Sequence, residues 1–358
     1  MTSPLNSPIQ LWYSHRGGAT ATGLAIAKGW LHAEFDGGAT SLRSLEDAAS
    51  RDIRLSYYHH GQTGLFREGG NVPALWARAE GQAAVVVGIT WVDEYQGILV
   101  RRDSSIQSLA DLKMKRLGLP LRRRALIDIH RASAQRGFTT ALDAAGLDPR
   151  RARWTHIESP DLEFPQRDPG RDIELDALRS GYVDAVFLRG AQGYAAARDP
   201  SLRELADLNR LEDPLQRVNN GTPRPITVDR DFLARHPGIV RRYLGVLLRA
   251  GAWAREHPDE VGQLAALENP GYTALDVTGA LGPALHRSLT PALDPIRLAG
   301  LASQKEFLLE WGYIRRDFDI DDWIDPAPLA EALRAGPQSV DRPVPLAYPA
   351  AQSSAYVH

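Results

Sequence analysis

The segment VPALWARAEGQAAVVVGITW, residues 72–91, indicates the class of fold. Its first ten residues have the apolar spacing of a helix, and Pro73 suits the first turn. Residues 83–91 then form a continuous apolar run, which is typical of a strand buried on both faces of a sheet. We therefore predict a helix followed by a central strand.

The same alternation extends along the chain in both directions. Further strands are predicted at IQLWYS (9–14), DIRLSYY (52–58), 96–100, 116–120, 183–188 and 225–233. Further helices are predicted at 17–35, 174–181 and 237–258, with a short one at 109–113 capped by Ser105 or Ser108. Strands that alternate with helices predict an α/β fold with a largely parallel sheet.

Composition and charge exclude several classes of protein. The chain has 358 residues, a formal net charge of -2 and no cysteine. This charge gives no field that would attract nucleic acid, and without cysteine there is no disulfide, thiolate metal site or thiol nucleophile. No run of about 18 apolar residues occurs, so we expect no membrane insertion. The N-terminus lacks a basic start followed by an apolar core, and we expect a cytoplasmic location.

The stretch YYHHGQTGLFREGG, residues 57–70, carries the main candidate site. Its glycines let backbone amides approach a ligand, and Arg67 can hold an anionic group with a two-pronged guanidinium. The alternative is that Arg67 pairs with a carboxylate at the surface. The pattern favours a site for a small organic anion.

Four stretches resemble one known family of proteins. They are FREGGNVPALWARAEG (66–81), VVVGITWVDEYQGILVRRDSSIQSLADLKMKRLGL (85–119), LRSGYVDAVF (178–187) and GAWAREHPDEV (251–261). In order and spacing they resemble the 2'-hydroxybiphenyl-2-sulfinate desulfinases, within the type II periplasmic-binding-protein superfamily that also binds sulfonates, nitrate and thiamine precursors. The resemblance implies two lobes with a ligand cleft between them, each a mixed, mostly parallel sheet flanked by helices. We expect lobe 1 to comprise residues 1–101 and 222–358, and lobe 2 residues 102–221.

By this resemblance, two anion-binding positions of the family are retained in this chain, and two catalytic positions are occupied by other residues. The sulfinate-binding arginine of the family falls on Arg67, and the glycine whose amide assists it falls on Gly70, in REGG here against RFGG in the family. The reactive cysteine of the family falls on Arg16. Its catalytic histidine falls on Tyr57, with His59 and His60 two and three residues further on. Cleavage through a cysteine therefore cannot operate unchanged in this chain.

Other residues extend the candidate site with alternatives left open. Arg16 is either a second anion clamp or one half of a structural salt bridge. His15, His59 and His60 are either acid–base groups or packing groups. Of the adjacent pair, we expect His60 to face the ligand. We predict no cofactor, although three histidines on two loops could also bind zinc.

The remaining candidates are binding groups. Arg189, which follows an apolar strand, could clamp a second carboxylate of the ligand. Asn220, Thr222 and Arg224 lie in NNGTPRPI, which is either a hinge alone or a hinge that contacts the ligand. Ser14 and Gly69 complete the predicted set. Of the arginines 122–124, one could reach the cleft, although a solvated charge run is the usual structure of such a string.

Two functions fit these features. The first is a cytoplasmic, desulfinase-like hydrolase that cleaves a small cyclic or aromatic anion at a carbon–sulfur bond with activated water. In this hypothesis Arg67, Gly70 and one of Arg16 or Arg189 bind the anion, and His60 or His15 moves protons. The second is a solute-binding protein of the ABC-transporter type for a sulfonate-like or carboxylate anion, with no catalysis.

Overall fold

A computed structural model of the protein describes residues 8–14, 19–160, 172–269 and 271–336. The strands in these residues are β1 (Ile9–Ser14), β2 (Thr40–Ser44), β3 (Leu65–Glu68), β4 (Ala84–Thr90), β5 (Gln96–Arg101), β6 (Arg116–Leu121), β7 (Arg153–Glu158), β8 (Val186–Arg189), β9 (Leu202–Asp207) and β10 (Arg224–Asp229).

The helices lie between these strands and after them. They are α1 (Ala21–Ala27), α2 (Trp30–Phe35), α3 (Arg51–His59), α4 (Asn71–Ala79), α5 (Ile129–Ala144), α6 (Ile173–Arg179), α7 (Gly190–Ala197), α8 (Arg230–Arg235), α9 (Pro237–Glu256), α10 (Pro258–Leu267), α11 (Ala274–Leu281), α12 (Leu285–Ser288), α13 (Pro295–Glu310) and α14 (Ala327–Ala335). Short 3₁₀ helices occupy Leu109–Leu112, Pro149–Arg151, Leu208–Arg210, Pro214–Arg217 and Asp321–Trp323. No helix in the described parts of the chain is both long and apolar enough to span a membrane.

The first sheet has the strand order β2-β1-β3-β10-β4. β1 is parallel to β2 and β3, whereas β10 runs antiparallel to β3 and β4. The direction of β10 is reversed because this strand enters the sheet on the return of the chain from the second sheet. The first sheet is therefore mixed.

The second sheet combines β8-β5-β9 with the pair β6-β7. A parallel bridge between Leu117 and Ala185 joins the two parts, and β5 is antiparallel to both of its neighbours. By this pairing residues 96–101 belong to the second sheet, whereas we expected the first lobe to extend to residue 101. The segments 91–95 and 219–223 connect the sheets and are cross-linked, for example by the Thr222 hydroxyl, which donates to the Val92 carbonyl at 2.5 Å.

The strand predicted at residues 52–58 is wrong, because this segment forms α3. The apolar residues of DIRLSYY fit a period of two and a helical period almost equally well. The Ser50 side chain caps the helix, and Ser56, Tyr57 and His60 share its buried face. The strand comes only afterwards, as β3, so Arg67 lies within a strand and not in a loop.

Smaller differences have local causes. The helix predicted at 17–35 is divided into α1 and α2 at Gly29, whose φ of 70° is left-handed. The strand predicted at 225–233 ends at Asp229, because the Asp229 side chain caps α8 by accepting from the Phe232 amide. The strands β2, β7 and β9 were not predicted at all. The capping of Leu109–Leu112 by Ser108 agrees with expectation.

The main core lies between the first sheet and α9. Phe66 of β3 stacks on Tyr243 of α9 at 3.9 Å between ring centroids, and both rings are buried. Successive strand residues face opposite sides of a sheet, so Arg67 lies on the other face, beneath α3. The carboxyl ends of β1 and β3 and the first turns of α1 and α4 meet at one edge, which is where the candidate site lies.

Candidate functional site

Arg67 is the centre of the candidate site. Its side chain is fully buried, at 0% exposure. Nε donates to the Tyr57 carbonyl and Nη2 to the Gly70 carbonyl, both at 2.8 Å, while the guanidinium lies 4.2 Å from the centre of the Tyr57 ring. Nη1 is buried and has no hydrogen-bond partner in the described part of the chain. Burial lowers the pKa of Arg67, which the nearby Tyr57 and Tyr58 partly offset.

Ser14 and Thr227 flank Arg67 on the same face of the sheet. In the strand register Ser14 of β1 and Thr227 of β10 are both partners of Arg67. The Ser14 side chain is fully buried, and its hydroxyl has no partner among the described residues. Two neighbouring groups, the Ser14 hydroxyl and Arg67 Nη1, therefore have unused hydrogen-bonding capacity, which an anion could satisfy.

His60 joins this cluster as a neutral imidazole. Its Nδ1 lies 3.2 Å from the Tyr58 carbonyl, which can only accept, so Nδ1 carries the proton. Nε2 lies 3.0 Å from the Thr227 hydroxyl and accepts from it. Burial, and then the charge of Arg67, lower the pKa of His60 to about 3. Both ring nitrogens are thus engaged in internal bonds, and a proton-moving role of His60 stays a prediction.

The two glycines after β3 let other side chains approach. Tyr57 and Arg67 both lie against Gly69. Gly70 caps α4, and the Asn220 side chain packs so closely on it that a Cβ at this position would overlap the amide. Asn220 Oδ1 accepts from the Val72 amide at 3.1 Å. The structure therefore brings Ser14, His60, Arg67, Gly69, Gly70 and Asn220 together.

His59 lies away from this cluster. It contacts Asp52, whose side chain is 90% exposed, at 3.7 Å, and its Nδ1 accepts from the Gly61 amide. His15 and Arg16 lie outside the described residues. In the described parts of the chain no group of three or more His, Asp or Glu side chains could hold a metal ion. The predicted lack of a cofactor stays a prediction.

Arg189 and Arg224 share one carboxylate, that of Glu94. Arg189 Nη1 lies 2.5 Å from Glu94 Oε1, and Arg224 Nη2 lies 3.8 Å from Oε2. Arg224 also donates to the carbonyls of Gly221 and Ala19, at 2.8 and 2.5 Å. Both arginines thus have protein partners, and Glu94 links the second sheet to the start of α1.

Two further glutamates near α1 were not singled out from the sequence. Glu68 is fully buried and accepts from the amides of Ala21 and Thr22, at 3.2 and 2.8 Å, and from the Thr90 hydroxyl at 2.8 Å. Glu268 lies against Gly23, and its Oε2 is buried without a partner in the described chain. Burial, and then the charge of Glu68, raise the pKa of Glu268 to about 8.

Only one of the three arginines at 122–124 is buried. The Arg122 side chain is 8% exposed and lies 3.6 Å from Asp128, whereas Arg123 pairs with Glu158 at the surface and Arg124 is exposed. Burial, Arg122 and Arg189 lower the pKa of the neighbouring His130 to about 3. Arg122, His130 and Arg189 therefore lie near one another at the start of α5.

Comparison with known proteins supports the resemblance. No known family profile matches the chain. The 2'-hydroxybiphenyl-2-sulfinate desulfinase of Rhodococcus erythropolis is 28% identical over 324 residues, covering 80% of this chain and 86% of that protein. The desulfinase of Rhodococcus qingshengii matches to the same extent.

Solved structures give the fold. A mutant of the desulfurization enzyme DSZB in complex with biphenyl-2-sulfinic acid has a TM-score of 0.72 at 25% identity, covering 92% of this chain and 100% of that one. The periplasmic aliphatic sulphonate binding protein SsuA from Escherichia coli has a TM-score of 0.63 at 19% identity, covering 89% and 98%. The predicted resemblance is thus confirmed. The chain is similar to the desulfinases and has the two-lobed, type II periplasmic-binding-protein fold.

Proposed function

We propose that this protein is a desulfinase-like enzyme that cleaves the carbon–sulfur bond of a small aromatic sulfinate without a cysteine nucleophile. The reaction is R–SO₂⁻ + H₂O → R–H + HSO₃⁻. The C–S bond breaks, a C–H bond forms, and the oxygen of water bonds to sulfur. The similarity to the desulfinases supports this class of reaction.

Arg67 is the observation that carries the proposal. A buried guanidinium whose Nη1 lacks a partner costs free energy, which a bound anion would recover. The Ser14 hydroxyl beside it offers a second bond to the same anion. In this proposal Arg67, Ser14 and the backbone of Gly69 and Gly70 bind the sulfinate group. Such a group is the anion of biphenyl-2-sulfinic acid, the ligand in the solved DSZB complex.

Sulfite release is the direct test. The purified protein is incubated with a panel of aryl sulfinates, alkyl sulfinates and thio-heterocyclic acids, and sulfite and the desulfinated product are quantified. We expect turnover of at least one aryl sulfinate. Recovery of every compound intact, with no sulfite above a protein-free blank, would refute the enzymatic function.

A solute-binding protein for a sulfonate-like anion is the second candidate. The fold that the chain shares with the sulphonate-binding protein SsuA supports this candidate. Tight binding of an intact sulfonate together with no product from any sulfinate would favour this function. The enzymatic function implies a cytoplasmic location, whereas the solute-binding function implies that the protein is exported.

A further inference from the structure

A pocket of about 360 Å³ lies between the second sheet and α11, apart from the site at Arg67. Its walls come from α7, from β9, from the 3₁₀ helix Leu208–Arg210 and from α11, and none of the residues that line it belongs to the candidate site. The Tyr95 amide donates to the Ala280 carbonyl at 2.7 Å, which joins the crossover segment 91–95 to α11 beside the pocket. A volume of this size is at the lower end of those that hold small organic ligands.

The polar lining of this pocket has hydrogen-bond acceptors in excess. The Tyr95 hydroxyl donates to Glu204 Oε2 at 2.6 Å, and burial raises the pKa of Tyr95, so this phenol keeps its proton. The other carboxylate oxygen, Glu204 Oε1, accepts no hydrogen bond from a described residue. Asn209 Oδ1 is buried and also lacks a partner in the part of the chain that the structure describes. Two neighbouring acceptors are therefore available to a donor, and a buried acceptor without one costs free energy.

Two tyrosine rings supply the aromatic lining of the pocket. The rings of Tyr95 and Tyr194 meet edge to face, with 5.9 Å between their centroids. Gly279 lets the Tyr194 ring pack directly on α11, because a Cβ at this position would lie 2.3 Å from the ring. The Arg198 guanidinium lies 5.6 Å from the centre of the same ring. Aromatic rings attract cations, so this lining suits an apolar body that carries a positive charge.

The charges around the pocket leave one carboxylate without a matching cation. Arg198 pairs with Asp276 at 2.6 Å. Arg210 lies 3.4 Å from Asp207, but its side chain is 83% exposed, so water screens this pair. Glu204 is the third carboxylate, and its bonded partner is a neutral phenol. Burial raises the pKa of Asp207, as expected for a carboxylate without a buried cation beside it. Three carboxylates thus face two guanidinium groups, and a ligand with one positive charge would balance them.

We propose that this pocket binds a small organic molecule with a primary ammonium group and an apolar body. An ammonium group has three N–H donors and no acceptor, and it donates to Glu204 Oε1 and Asn209 Oδ1. The apolar body packs against the rings of Tyr95 and Tyr194, which also attract the charge. The site does not depend on Arg67 or on the proposed function, and its excess of carboxylates selects against anions such as sulfinates.

Three probes that share a benzyl group separate the features of the ligand. Benzylamine is protonated at neutral pH and has both the charge and the N–H donors. Benzyltrimethylammonium keeps the charge without a donor, and benzyl alcohol keeps a donor without the charge. Their Kd values are measured by isothermal titration calorimetry on the full chain. Glu204→Gln removes the charge but keeps an acceptor for the Tyr95 hydroxyl, and Glu212→Gln is the matched control, since Glu212 is exposed and does not line the pocket.

We expect the wild type to bind benzylamine with a Kd below about 1 mM, a reasonable affinity for a ligand of this size. Benzyltrimethylammonium and benzyl alcohol should each bind at least about tenfold more weakly, because each lacks part of a charge-assisted hydrogen bond. Glu204→Gln should weaken benzylamine by at least about tenfold for the same reason, whereas Glu212→Gln should stay within about twofold of the wild type. Asn209→Ala, which removes the second acceptor, should weaken benzylamine by at least about threefold.

Several results would overturn the inference. The absence of saturable benzylamine binding up to about 10 mM would leave the pocket without this ligand class. Equal affinity for benzyl alcohol would mean that the charge is not recognised, and equal affinity for benzyltrimethylammonium would mean that the two acceptors are not used. An unchanged Kd in Glu204→Gln, or an equal loss in Glu212→Gln, would place the amine elsewhere. Melting curves show whether each variant folds, and if Glu204→Gln does not, an unchanged Kd in Asn209→Ala decides against the site.

Discussion

Replacement of Arg67 by methionine tests the anion site directly. Methionine has a similar length and no charge, so the change removes the guanidinium with little loss of volume. Truncating one partner of a buried, hydrogen-bonded ion pair costs about 2–5 kcal/mol. A loss of about 3 kcal/mol raises Kd by about 150-fold.

The same loss can be expressed as a thermal shift. A ligand at 100 times its Kd stabilises the folded protein by about 2.7 kcal/mol. For 358 residues the entropy of unfolding is about 0.75 kcal/mol/K, so biphenyl-2-sulfinate should raise the Tm of the wild type by about 4 °C. At the same ligand concentration Arg67→Met should shift by less than about 1 °C, because the ligand is then below its new Kd.

The assay is differential scanning fluorimetry with isothermal titration calorimetry for the two Kd values. The comparison uses the shift and not the absolute Tm, because Arg67→Met also leaves the Tyr57 and Gly70 carbonyls without a donor. Arg43→Met on β2 is the control, since Arg43 is exposed. An affinity of Arg67→Met within threefold of the wild type would refute the anion site, as would an equal loss in Arg43→Met.

Three glutamates give further predictions. Glu68→Leu leaves three buried donors without an acceptor and should lower the free energy of unfolding by about 3 kcal/mol in urea titrations. Glu94→Gln weakens the buried pair with Arg224 and the half-buried pair with Arg189, and should cost about 3 kcal/mol in the same measurement. Glu268 has a folded pKa of about 8, raised from 4.5, so it binds a proton in the folded state that the unfolded state has lost. The contribution of Glu268 to the free energy of unfolding is fully present below pH 4.5. It is lost as the pH rises to about 8, by up to about 5 kcal/mol. Glu268→Gln should remove this part of the pH dependence.

Glu256→Gln, at an exposed position at the end of α9, is the control for all three. A loss below about 1 kcal/mol in Glu68→Leu would show that water replaces the carboxylate at α1. A loss equally small in Glu94→Gln would mean that the two arginines find other partners. For Glu268, the free energy of unfolding is plotted against pH for the wild type and for Glu268→Gln. The two plots must differ in slope between pH 5 and pH 8, and parallel plots would contradict the burial of an uncharged carboxyl group.

The sequence predicted the class of fold because its strongest signals are local. The run at 83–91 is apolar except for Thr90, as is typical of a strand covered on both faces, and β4 lies there. The segment 52–58 failed because its apolar spacing fits both periods, and only packing against the sheet makes it a helix. β7 and β9 were missed because their side chains are mostly half-exposed, so neither has an apolar run.

The candidate site was predictable only in part, for a similar reason. Arg67 and the glycines after it are adjacent in sequence and stand out together. Glu94 and Glu268 are brought to the site by elements far apart along the chain, and neither has an unusual neighbourhood in the sequence. Tyr57 was visible only as a position in the resemblance, because its contact with Arg67 depends on α3 folding back over β3.

The carboxylate of Glu68 and the guanidinium of Arg67 place opposite charges on the two faces of β3. A helix N-terminus is elsewhere a ready receptor for phosphate or carboxylate groups, because its free amides point outward. Here the receptor at α1 is filled from within the chain, by the residue next to Arg67. On one face of β3 the amides of α1 are therefore already occupied by a carboxylate of the chain, whereas on the other face the guanidinium of Arg67 retains an unpaired nitrogen among the described residues.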